Sequence, residues 1–127
     1  VEMADQYTGK NPFKIPRPQR YPGGFNAETL GGAKVLTYQD SQFQAIDPGG
    51  SARNVALPAA GARKGHFFWI AHKADAAEAI TLQQPDASTT LATISQNEAA
   101  LVFCADDGAA AATSGWTLFA LFTIAIA

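Results

Sequence analysis

Cysteine, charge and long hydrophobic runs are all scarce in this sequence. Cys104 is the one cysteine, so no disulfide can form within the chain. It stands in the apolar run ALVFCA, where a small buried hydrophobe is the expected role. Charged residues make up 16% of the chain against 47% hydrophobic, a balance that allows a packed core and excludes global disorder. The net charge of −2 argues against a general nucleic-acid binder. The longest apolar run, WTLFALFTIAIA at 116–127, is too short for a membrane helix, which takes about 20 residues. No Asn-x-Ser/Thr sequon occurs, and the polar, acidic start shows no signal peptide.

Catalytic and metal-binding patterns are missing as well. There is no Gly-x-Ser-x-Gly, and the Thr-Gly-Lys at 8–10 lacks the upstream glycine of a phosphate-binding loop. His66 and His72 share a face but stand about 20 Å apart at strand rise, too far for one ion. Asp106-Asp107-Gly108 lacks the alternating oxygen ligands of a calcium loop and reads as a hairpin turn, and Asp47 beside Pro48 reads as a turn residue. With no clustered carboxylates near a histidine, an acid–base pair is hard to assemble. The expectation is a chain that is not an enzyme and uses no cofactor or metal.

What is present falls into two parts. At 127 residues the chain is one folded domain by size. Residues 1–33 contain Pro12, Pro16, Pro18 and Pro22 and the pairs Gly23-Gly24 and Gly31-Gly32. Proline fixes φ and pushes the residue before it into extended conformations. These residues are therefore expected to form an extended, partly polyproline-like arm, up to on the order of 100 Å long when stretched. Within it, KNPFKIPRPQR (10–20) has four basic residues and no acidic one. The aromatic and aliphatic residues Tyr7, Phe13, Ile15, Tyr21 and Phe25 are interspersed along the arm, whereas a solvated tail is poor in such groups. Residues 1–64 hold eight Lys/Arg and five Asp/Glu, a net of +3; residues 65–127 hold one and six, a net of −5.

From 34 onward the pattern is β. Strands are expected near 34–39, 42–46, 53–57, 66–73, 79–84, 90–94, 98–105 and 115–126, separated by turn signals such as DPGG at 47–50. Segments 75–79 and 97–100 favour helix but are too short to hold one. The fold class is thus all-β, a small sandwich or barrel of about eight short antiparallel strands behind a long N-terminal arm. Two strands are apolar on both faces. Phe67, Trp69 and Ala71 alternate with His66, Phe68, Ile70 and His72, and Trp116, Leu118, Phe122, Ile124 and Ile126 alternate with Phe119 and Leu121. A lone two-layer protein should be polar outside, so these strands call for a cover.

The stretch from 43 to about 120 resembles a known group. Its parts are Asp47–Gly50, Val55–Pro58, Gly65–Ile70, Ala74–Asp75, Ile80–Leu82, Thr93–Ile94 and Gly115–Trp116. This succession of turns and strands is similar to that of tailed-bacteriophage head decoration (cement) and head-fibre proteins. The resemblance leaves out the arm. It implies a β-rich, non-enzymatic protein on the outer surface of a capsid, made in the host cytoplasm and commonly trimeric. The partners implied are the major capsid protein and other copies of the chain, without nucleic acid or membrane. On that reading Lys10, Phe13, Lys14, Ile15, Arg17, Arg20, Tyr21 and Phe25 form a capsid-binding strap. Trp116, Phe119, Leu121, Phe122 and Ile124 form the subunit interface. The alternatives are a phage tail-fibre or baseplate module, and a carbohydrate-binding sandwich with Trp69 and Trp116 as exposed platforms.

Overall fold

The chain winds back and forth between two sheets. A computed structural model describes residues 24–59, 63–74, 76–107 and 111–124. Among the described residues the strands are β1 (Phe25–Thr29), β2 (Lys34–Val35), β3 (Phe43–Asp47), β4 (Arg53–Ala56), β5 (Phe67–His72), β6 (Ile80–Gln83), β7 (Thr90–Ile94), β8 (Glu98–Cys104) and β9 (Trp116–Thr123). One sheet has the order β1-β3-β5-β8-β9 and the other β2-β4-β6-β7, and neither closes into a barrel. The fold is all-β, and among the described residues one helical turn, α1 (Ala111–Ser114), precedes β9.

Two expectations change here. First, strands of one sheet are not all antiparallel: β1, β3 and β5 run parallel, as do β2, β4 and β6. Parallel neighbours need a crossover of a dozen or more residues, usually a helix. This chain makes the crossover with a strand of the opposite sheet, so each turn of the coil contributes one strand to each layer. The pairs β5–β8, β6–β7 and β8–β9 are antiparallel. Second, the arm does not extend to residue 33. Phe25–Thr29 pairs with β3 in register from Phe25↔Phe43 to Thr29↔Asp47, and Leu30 is buried in the core. A ninth strand was hidden because FNAET is polar at alternate positions on its inner side. Asn26 donates to Gln44 at 2.8 Å and to Glu28 at 2.9 Å, and Lys34 of β2 donates to Glu28 at 3.1 Å. That cluster closes the space between the sheets at their first edge with polar groups. The Asn26 amide first, and then the Lys34 ammonium, hold the Glu28 carboxyl below its ordinary range.

The core lies between the layers. Ile46, Phe68, Ile70, Ala100 and Val102 from one sheet meet Val55, Ile80, Leu82, Ala92 and Ile94 from the other. The DPGG turn between β3 and β4 is tightly specified. Gly49 has φ +77°, its N–H donates to Asp47 Oδ1 at 2.8 Å, and a Cβ there would lie 2.8 Å from the Leu30 carbonyl oxygen. Glycine is therefore required twice over, by backbone angle and by space. Of the expected Asp-Gly hairpin step after β8, Gly108 lies outside the described residues. α1 stands between β8 and β9 in the chain, and Ala105 N–H donates to Gly115 O at 2.8 Å.

Candidate docking face

Parallel pairing lines up side chains that are distant in sequence. Phe25, Phe43 and Trp69 are direct partners across β1, β3 and β5, and Leu101 of β8 continues the row. All point away from the core, because the intervening residues Gln44, Ile46, Phe68 and Ile70 point into it. Ring centroids are 5.6 Å apart for Phe25 and Phe43 and 6.2 Å for Phe43 and Trp69, the latter two planes within 9°. A second row is nearly all alanine: Ala27, Ala45, Ala71 and Ala99, ending at Phe122. These small side chains leave room for Phe122 to reach diagonally over and meet Trp69 edge to face at 5.6 Å. On the other side of the aromatic row, Phe67 pairs with Phe103, and Phe103 meets the Phe119 ring at 6.2 Å.

The result is a sheet face of aromatic rings and alanines, with Asp47 at the end of β3 as a charged residue on its margin. Phe25 is 62% exposed, Phe43 41% and Phe119 69%. Contiguous exposed apolar surface of this kind usually marks an interaction site.

A β-bulge decides which side of β9 joins that face. Leu101 pairs with Ala120 and Val102 with Leu118, so Phe119 is the extra residue. Strict alternation puts Phe119 opposite Phe122. The bulge brings both onto the outer side, where they contact Phe103 and Trp69. Leu121, partner of Ala100, and Ile124, whose N–H donates to Asn97 O, lie along the edge strand.

Trp116 is withdrawn from the expected interface. It is buried in the core, packs on Phe68 at 5.6 Å and donates from Nε1 to Pro58 O at 2.9 Å. The Gln84 side chain binds its backbone at both ends, donating to Trp116 O at 2.8 Å and accepting from Trp116 N at 3.0 Å. A buried amide thus does the work of a neighbouring strand. Trp116 is not available to stack on a sugar, and Trp69 has Phe43 lying parallel to it and the Phe122 edge against it.

Of the strap residues, Lys10, Phe13, Lys14, Ile15, Arg17, Arg20 and Tyr21 lie outside the described residues, while Phe25 begins the aromatic row. Both histidines are on the inner side. His72 accepts from Ala74 N–H at Nδ1 and donates from Nε2 to the Glu78 carbonyl. His66 packs on Phe68 and Trp116, and burial pushes its pKa down. Among the described residues no cluster of His, Cys, Asp or Glu could hold a metal ion. Burial raises the Cys104 thiol pKa, as expected of an unreactive core cysteine.

The outer row had a signal in the sequence that alternation within single strands does not reveal. FNAET, FQAID and WIAHK share an aromatic residue, a spacer and an alanine. Their unequal spacing, 25 to 43 and then 43 to 69, conceals the repeat, because the loops of successive coils differ in length. No family model and no curated protein matches this chain.

Proposed function

We propose that this chain is a non-enzymatic virion structural protein, a decoration protein that binds the outside of a phage capsid and stabilises it. The observation that carries this reading is the exposed face of aromatic rings and alanines, which serves assembly. The two layers act as a small sandwich body, and the N-terminal residues act as the strap. Lys10, Lys14, Arg17 and Arg20 pair with acidic groups on the major capsid protein, while Phe13, Ile15 and Tyr21 fill apolar grooves. Phe119, Leu121, Phe122 and Ile124, without Trp116, meet neighbouring copies when the chain gathers as a trimer on the lattice. Exposed ion pairs contribute only about 0.2–1 kcal/mol each, whereas each buried apolar anchor contributes about 1.5–3 kcal/mol. The anchors therefore dominate, and three straps per trimer add avidity.

Binding to empty, expanded capsids tests this. The full chain should decorate them with partial salt sensitivity, and Phe13→Ala should weaken decoration more than Lys14→Ala. A chain that leaves capsids bare at micromolar concentration overturns the reading.

A further inference from the structure

The aromatic row begins where the N-terminal segment joins the sheet. Phe25, its first ring, follows directly on Gly24, which has the left-handed φ of +78° that lets a chain reverse. Twenty-three residues precede Gly24, and they supply the apolar groups Tyr7, Phe13, Ile15 and Tyr21 together with four prolines. We propose that in the free protein residues 7–22 fold back across the outer face of their own sheet, covering Phe43, Trp69 and Phe122, and that the binding partner of the segment must displace it.

Length, charge and tethering all favour this occupant. Five strands span four inter-strand steps of about 4.8 Å, roughly 19 Å. A polyproline segment rises about 3.1 Å per residue, so about six residues cross the face. Tyr21 then lies near the start of the row, and Ile15 and Phe13 reach its far side by β9. Residues 1–23 carry four basic and two acidic side chains, a net of +2, and residues 24–127 carry five and nine, a net of −4. The segment is thus complementary to its own body before any partner arrives. Covalent attachment gives it a high local concentration, which for short flexible tethers is about millimolar, and prolines lower the entropy lost on docking. A second copy must find the same face from dilute solution.

The inference deepens the strap reading by giving the strap a resting place, but it concerns the free chain and is tested without capsids. Trp69 and Trp116 are the only tryptophans, and Trp116 is a buried internal reference. Acrylamide quenching of the full chain is compared with that of the full-length triple variant Phe13→Ser, Ile15→Ser, Tyr21→Ser. The variant should show a several-fold larger quenching constant for the accessible component, with the Trp116 component unchanged and the difference independent of protein concentration. In a second measurement, a photo-crosslinking residue at position 13 of the full chain should attach to β5, β8 or β9 of the same molecule. Equal quenching in both proteins overturns the proposal. So do crosslinks that join heavy-isotope to light-isotope molecules, which would make a second copy the occupant. If masking fails while the chain still decorates capsids, only this inference is lost. If masking holds but capsids stay bare, only the capsid reading is lost.

Discussion

The two faces of β5 are equally apolar in sequence and opposite in fate. On the inner side Phe68 and Ile70 are fully buried beneath the second sheet. On the outer side Trp69 packs against the Phe43 and Phe122 rings of the same face, and Phe67 lies beside Phe103 in the register. Hydrophobicity alone therefore does not assign a residue to the core. A core position is one that another layer covers, and a docking position is one whose cover comes from outside the two sheets. Trp116 and Phe119 make the same contrast three residues apart on β9.

The comparison is broken most forcefully by truncating each of those two in turn. Trp116→Ala should cost about 3–5 kcal/mol, because it empties core volume that the surrounding layers cannot refill. It also leaves the buried Pro58 carbonyl without its indole donor. Chemical denaturation monitored by circular dichroism reads the loss as a lower midpoint.

An intermediate effect concerns the inner side and pH. His66 is buried against Phe68 and Trp116, and its pKa lies below the ordinary 6.5. The unfolded chain therefore takes up the proton first as pH falls. Stability is at its full value above about 6.5 and declines as pH drops from there through the lowered folded value. Thermal melts of the wild type between pH 7.5 and 5 should show this decline, and His66→Phe should flatten it. A pH slope unchanged in His66→Phe would place the proton elsewhere.

The smallest effect on stability belongs to Phe119→Ser. A side chain that is mostly exposed contributes little to folding, so the midpoint should stay within about 0.5 kcal/mol of the wild type. Docking of the N-terminal segment should weaken even so, read as a larger acrylamide quenching constant for the Trp69 component. A destabilisation as large as that of Trp116→Ala would show that the outer face is part of the folding core, and the contrast would collapse.

The sequence by itself determined where the strands are and that some are apolar on both sides. Eight expected strands coincide with β2 to β9 within a few residues, because alternation and turn chemistry are local properties of the chain. Residues such as Gly49, needed for its backbone angle, belong to the same local logic. Only the tertiary structure decided which strands pair. The parallel order, the recruitment of Phe25–Thr29 into a sheet, and the alignment of Phe25, Phe43 and Trp69 all depend on partners far apart in sequence. So does the bulge that turns Phe119 and Phe122 to one side, since an extra residue in a strand exists only relative to its neighbour. Trp116 and Phe119 are both large aromatic residues on one strand, and local pattern cannot tell them apart. The second sheet, arriving through Pro58 and Gln84, puts Trp116 inside, and among the described residues no third layer covers Phe119.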